Sequence, residues 1–206
     1  MNKGIFIVID GMDGCGKSEM VKLLHNYLFS KNKSYSILTT REPTKGTYGK
    51  EIREILAKEK DPKESAEKLL ELFIKDREEH VDNTITPFLE KLNGEETRIV
   101  ICDRYYYSTI AFQEVQGLDA GLIVEKNKKF PKPDVAFLLD AKSEIALERM
   151  KHRKKEKFEQ LEFMKELRSK FLELPKFLDD NIKIIDASEE IHEVFEKVKE
   201  EVDKIV

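Results

Sequence analysis

The chain has no tryptophan and only two cysteines among its 206 residues. Cys15 and Cys102 lie in glycine-rich or apolar contexts at the ends of expected strands, without the spacing of metal ligands. A reduced, cytosolic chain is the simplest account of them. No apolar run approaches the roughly 18 residues of a membrane-spanning helix, and the N-terminal residues lack the pattern of a secretory signal. Strong charge of one sign is missing too: 37 Lys and Arg against 41 Asp and Glu leave a formal net charge of −4. Nothing global therefore attracts nucleic acid or an anionic membrane, and any anion site must be local. Internal repeats, low-complexity tracts and clear linkers are also absent. The expectation is a single cytoplasmic domain over residues 1–206. Its 40% hydrophobic and 38% charged residues fit an ordinary core under a heavily charged surface.

What is present alternates. Residues 5–9, 35–39, 98–102 and 135–139 are short, β-branched apolar segments of the kind buried in parallel sheets, and 182–185 is a fifth near the end. Between them run helical patterns. Residues 17–31 are amphipathic through Val21, Leu24 and Leu28, and 66–91 is long enough for one or two helices. Residues 143–178 carry helical spacing around a basic interruption, and 191–206 repeat Ile191, Val194, Val198, Val202 and Ile205. The alternation predicts an α/β fold with a central parallel sheet of about five strands flanked by helices on both faces. Ligands in such folds sit beyond the carboxyl ends of the strands.

The first apolar segment runs into Gly11-Met12-Asp13-Gly14-Cys15-Gly16-Lys17-Ser18, a full match to G-x-x-x-x-G-K-[ST] between a strand and a helix. The glycines let backbone N–H groups turn inward, and the following helix N-terminus adds positive partial charge. Lys17 is placed to reach the β- and γ-phosphates and Ser18 to ligate Mg²⁺, so the expected ligand is ATP with Mg²⁺. A GTPase should also carry an N-K-x-D guanine reader. The nearest string, Asn127-Lys128-Lys129-Phe130, lacks the aspartate and precedes a strand.

The other strand ends carry "TTREPTKGTYGKEIREIL" (39–56) and "CDRYYYSTIAFQ" (102–113), with "LFIKDREEHV" (72–81) between them. Asp103 ends an apolar strand, where a carboxylate helps hold hydrated Mg²⁺, and the planar fork of Arg104 suits an acceptor phosphate. Phe73 and Arg77, four apart, project from one helix face. On pattern alone Phe73 equally fits core packing, and Arg53 an ordinary helix surface.

Together with the phosphate loop, these motifs resemble the thymidylate kinase family of P-loop nucleoside-monophosphate kinases, in order and over nearly the whole chain. The resemblance implies the three-layer P-loop kinase fold with a helical basic lid, a homodimer, and dTMP as acceptor. It implies that Arg104 and Arg53 grip the dTMP phosphate, with Glu42 and Arg41 close by. It gives Phe73 to stacking on thymine and Arg77 to a thymine carbonyl. Ser108, Thr109 and Gln113 match contacts to the base and nearby waters, Phe112 a ring under the deoxyribose, and Asp13 the carboxylate that takes the 3′-hydroxyl.

Residues 149–159 are the densest basic run in the chain. Alone, such a run reads as a solvated helix face. One helix after the fourth strand, it lies where nucleotide kinases carry a mobile lid, here approximately residues 149–160. Arg149 and Arg153 share a face there and are expected to reach the ATP phosphates. Family members place the catalytic arginine either in the phosphate loop or in the lid. Gly14 stands where the first type has arginine, so the lid is expected to supply the charge. Several positions depart from the family pattern: Glu19 for a common threonine, Lys157 for a lid arginine, Phe171 for a frequent tyrosine, and Lys45-Gly46 within a glycine-rich turn. The expected reaction is ATP + dTMP → ADP + dTDP, in dTTP synthesis, with no general base because a phosphate dianion is already a nucleophile. One alternative changes the acceptor to dUMP or a similar nucleotide, since a methyl group discriminates by only ~1–3 kcal/mol. The other is a catalytically weak, ATP-binding regulatory protein, supported by Glu19 and Lys157.

Overall fold

All five apolar segments become strands in the computed structural model, which describes residues 4–58, 64–91, 96–150 and 157–206. They are β1 (Ile5–Gly11), β2 (Tyr35–Arg41), β3 (Thr97–Asp103), β4 (Val135–Asp140) and β5 (Ile182–Asp186). Among the described residues they form one sheet, ordered β2-β3-β1-β4-β5, with every neighbouring pair parallel. The three central strands are nearly continuous apolar runs because both of their faces are covered, whereas β2 and β5, at the edges, are partly exposed.

The helices are α1 (Lys17–Lys31), α2 (Thr47–Lys58), α3 (Ala66–His80), α4 (Thr86–Glu90), α5 (Tyr106–Val115), α6 (Ala120–Asn127), α7 (Ser143–Arg149), α8 (Lys157–Phe177) and α9 (Ile191–Val202). Helix α1 buries Met20, Val21, Leu24 and Leu28, and α9 beside it buries Val194, Val198 and Val202. Helices α5 and α8 form a second packed pair, touching β1 and β4. The helix-flanked parallel sheet expected from the alternation is therefore present.

Two long patterns are divided. Residues 66–91 form α3, a π-helical turn at Val81–Ile85, and α4. In that turn the Thr86 N–H reaches the Val81 carbonyl, five residues back. Pro87 follows, with no N–H to continue an ordinary ladder, so the pitch changes before it. Residues 143–178 form α7 and α8, and the basic interruption between them falls outside the described residues.

Strand register sets where the chemistry gathers. Asp103 is paired with Ile9 of β1 on one side and with Arg41 of β2 on the other. The turns that follow β1, β2 and β3 therefore leave the sheet at one edge, and these turns carry the phosphate loop, Glu42 and Arg104.

Candidate active site

The phosphate loop needs its glycines. Gly11, Gly14 and Gly16 all have positive φ (135°, 84° and 89°), a region that residues with a Cβ avoid. At Gly14 a Cβ would also run into the backbone of Ala146 in α7. This is a steric reason why no arginine stands there. Inside the loop Lys17 is buried, and its Nζ donates to the Met12 carbonyl at 2.7 Å. Burial, reinforced by the Arg104 charge, lowers its pKa to about 8, against the pull of Asp13, Asp10 and Asp103.

Next to it, the Ser18 hydroxyl donates to Asp103 Oδ2 at 2.9 Å, and Arg41 Nη2 lies 3.9 Å from the same oxygen. The other oxygen, Oδ1, is buried and has no hydrogen-bond partner among the described residues. An orphaned carboxylate oxygen beside a serine hydroxyl suits a hard cation. One carboxylate and one hydroxyl form the sparse protein set that Mg²⁺ uses when phosphates and water complete its shell.

Arg104 adopts φ 73°, a left-handed conformation that is uncommon outside glycine. Its Nη1 donates to the Gly11 carbonyl (3.1 Å) and Ser108 Oγ (2.7 Å), and its Nη2 to Asp13 Oδ1 (2.5 Å). Burial works against its charge, but Asp13, Asp10 and Asp103 outweigh that and raise its pKa further. Of five N–H donors, these bonds leave the Nε proton and one Nη2 proton, on neighbouring nitrogens, for an oxyanion.

Asp10, absent from the motif reading, organises this corner. Its Oδ1 accepts from the Gly11 N–H (2.8 Å) and Ser108 hydroxyl (2.5 Å), and its Oδ2 from the Tyr105 and Ser108 N–H groups (both 3.0 Å). It thus satisfies amides at the start of α5 that would otherwise be orphaned. Burial pushes its pKa up, while Arg104 and these donors pull it back. The only sequence signal was a carboxylate ending an apolar run just before the first loop glycine.

On the acceptor side, Arg53 donates to the carbonyls of Pro43 (3.0 Å) and Thr44 (2.5 Å), tying α2 to the turn after β2. Asp76 accepts from the Thr44 N–H and hydroxyl at 2.7 and 2.6 Å. Phe73 is half-buried against the small cluster of Ile52, Leu69 and Leu72. This packing meets the core reading of the residue in part. Arg77 and Glu42 are buried together, with Arg77 Nη2 2.8 Å from Glu42 Oε2. Thr109 Oγ1 accepts from Arg77 at 2.9 Å, so Ser108 and Thr109 both steady arginines. Gln113 is buried, donates to Gln116 at 2.8 Å and keeps an Oε1 without a partner among the described residues. Phe112 lies 5.5 Å from the ring of Phe163 on α8.

Arg149 closes α7, the helix that touches the loop at Gly14, and its Nη1 donates to the Ala187 carbonyl, just past β5, at 2.8 Å. Arg153 and the side chain of Lys157 lie outside the described residues, so the lid expectation is carried by Arg149 alone. Glu19 faces outward and pairs with Lys22 at 3.2 Å, while Phe171 is packed in the core. Lys45 lines a cavity of about 640 Å³ that also touches Ser18, Arg41, His80 and Asp103. Both cysteines are buried and free, and burial raises both thiol pKa values, which leaves them unreactive. No helix among the described residues is long and apolar enough to cross a membrane.

Comparison with known proteins bears on this arrangement of cations around an ATP-type loop. Residues 9–198 match the family model described as thymidylate kinase. The chain is 39% identical to a "Probable thymidylate kinase" of Archaeoglobus fulgidus, over 98% of this chain and 94% of that protein. It is 37% identical to one of Thermococcus kodakarensis, over 94% and 95% of the two chains. To a "Thymidylate kinase" of Caldicellulosiruptor saccharolyticus it is 36% identical, over 99% and 98%.

Proposed function

This chain belongs to the thymidylate kinase family, and from that premise we infer how its residues carry out ATP + dTMP → ADP + dTDP. The enzyme is an ATP:dTMP phosphotransferase. The observation that supports the assignment of roles is the meeting, at one edge of the sheet, of a buried lysine in the ATP loop with an arginine that keeps two N–H donors outside its own hydrogen bonds.

Lys17 exchanges the Met12 carbonyl for the β- and γ-phosphate oxygens of ATP, which also offset the cost of burying its charge. Arg104 presents its Nε and Nη2 protons to the dTMP phosphate, held in place by Asp10, Asp13 and Ser108. Arg53 and Glu42 shape the wall beside that phosphate, and Arg77 and Phe73 meet the base. Asp13, half-exposed beside Arg104, takes the 3′-hydroxyl. Phe112 floors the sugar. Ser18 and Asp103 would hold Mg²⁺, which when bound supplies charge neutralisation at the phosphate oxygens. Catalysis is then positioning plus electrostatic stabilisation, with the acceptor phosphate as nucleophile. Lid arginines, Arg153 with Arg149, supply the last positive charge. A homodimer and a cytoplasmic site of action belong to the same reading.

The regulatory alternative is not favoured: Glu19 is exposed and paired with Lys22 at the surface, and the relatives over most of the chain are named thymidylate kinases. Acceptor choice is tested by kcat/KM with dTMP, dUMP, UMP, dGMP and AMP. The expectation is dTMP first and dUMP next, separated by about 10–200-fold for one methyl group. Preference for a purine would overturn the acceptor assignment.

A further inference from the structure

The Glu42–Arg77 pair is unusual in using one carboxylate oxygen. Arg77 Nε and Nη2 lie 2.9 and 2.8 Å from Oε2, whereas an arginine and a carboxylate commonly meet two-on-two. The other oxygen, Oε1, is taken by His80 Nδ1 at 3.0 Å. A carboxylate only accepts, so Nδ1 carries the proton, and Nε2 lies 2.7 Å from the Thr40 hydroxyl oxygen. His80 is 4% exposed, with both ring nitrogens engaged.

The remaining contacts fix the plane of the guanidinium. Nη2 donates to Thr109 and Nη1 to Asn127, whose own amide is held by the Ile123 carbonyl at 2.8 Å. The rings of Tyr105 and Phe130 lie 5.2 and 5.5 Å from its carbon. With the Nη2–Oε2 ion-pair contact counted beside these three hydrogen bonds, four of the five N–H groups are engaged and one, on Nη1, is left. Without His80, Oε1 would be buried and unpaired. The carboxylate would then turn to offer both oxygens to Arg77, tilting the guanidinium and redirecting that last proton.

We propose that His80 is a positioning residue for acceptor recognition: by reserving one oxygen of Glu42, it fixes the edge that Arg77 presents to the base of dTMP. The proposal rests on the assignment of Arg77 to the base. The test compares His80→Ala, His80→Asn, Thr40→Val and Arg77→Gln, with dTMP and ATP varied separately. Asparagine keeps an N–H near the position of Nδ1. His80→Ala is expected to raise KM for dTMP roughly 10–100-fold, the range of a charge-assisted hydrogen bond. Its kcat and KM for ATP should change less than about threefold, and His80→Asn should recover most of the loss.

A parallel rise in KM for ATP, a kcat loss as large as the KM rise, or an asparagine as damaging as alanine overturns the proposal. Should His80→Ala not fold, Thr40→Val decides, since it frees only Nε2: a raised KM for dTMP supports the proposal and an unchanged one overturns it. Arg77→Gln separates the two layers. An unchanged KM for dTMP there refutes the base assignment and the proposal with it. A raised value beside a wild-type-like His80→Ala refutes the proposal alone.

Discussion

Replacing Lys17 with methionine should abolish catalysis and stabilise the nucleotide-free protein. The lysine is buried, and its pKa falls from 10.5 to about 8, chiefly through burial and then through the Arg104 charge. At about 1.36 kcal/mol per pKa unit, holding the ammonium in the empty site costs about 3 kcal/mol at pH 7. Methionine removes that cost but loses the bond to the Met12 carbonyl, at about 1–2 kcal/mol, for a net gain of about 1–2 kcal/mol. In a chain of this size each kcal/mol moves Tm by about 2–4 °C, so the variant should melt about 2–8 °C higher. The pH dependence follows from the direction of the shift. Between about pH 8 and 10.5 the unfolded lysine binds a proton that the folded one has lost, so wild-type stability rises relative to the variant. The gap should be widest below pH 8, vanish near about pH 9 and reverse in favour of the wild type by about pH 10.5. Calorimetric melts of both proteins at pH 7 and pH 10, with and without ATP, read all of this. ATP should raise the wild-type Tm and leave the variant unmoved. A variant that melts lower at pH 7, or a gap independent of pH, would refute the account of Lys17 as a charge stored at a cost for the nucleotide.

The other perturbations test the supporting cast. Asp10→Asn puts an amide donor against one of two pairs of donors and removes the charge facing Arg104. It should lower kcat/KM at least about 100-fold and cost about 3–5 kcal/mol in a thermal melt, as broken buried pairs do. A variant with more than half of wild-type activity would show that Arg104 is held by other means. Arg153→Ala should lower kcat by roughly 10³, on the scale of an arginine finger, with little change in KM for dTMP. Steady-state kinetics showing weakened dTMP binding with kcat intact would move Arg153 from the lid to the acceptor side.

Strand positions were legible because a strand buried on both faces must be apolar throughout, and residues 5–9 and 135–139 could be little else. The ends were less so. Asp10, Arg41, Asp103, Asp140 and Asp186 each fall within the strands, one or two residues beyond the apolar runs. Hydropathy stops where backbone pairing continues, and in an α/β sheet those last polar residues are the functional ones. Residues 66–91 showed helical spacing, but the pitch change at Val81–Ile85 depends on a proline downstream and on tertiary packing, which a periodicity count averages away.

The site divides in the same way. Gly11, Lys17 and Ser18 stand out in the sequence because a phosphate demands such residues at fixed spacing, and Arg104 because it follows the end of an apolar strand. Asp10 and His80 do not, because their role is to occupy other side chains rather than the ligand. A motif names the residue that touches the substrate; it does not show how many of that residue's donors are already spent. Arg104 gives three contacts to Gly11, Ser108 and Asp13, and Arg77 gives four to Glu42, Thr109 and Asn127. On the proposed assignment of both arginines to dTMP, what each has left defines the geometry offered to it, and selectivity would reside as much in buried acceptors as in the cations themselves. This preorganisation fixes donors before the ligand arrives and spares reorganisation during transfer. It also accounts for how a chain with a net charge of −4 can handle two polyanionic substrates: its carboxylates are used to aim its cations.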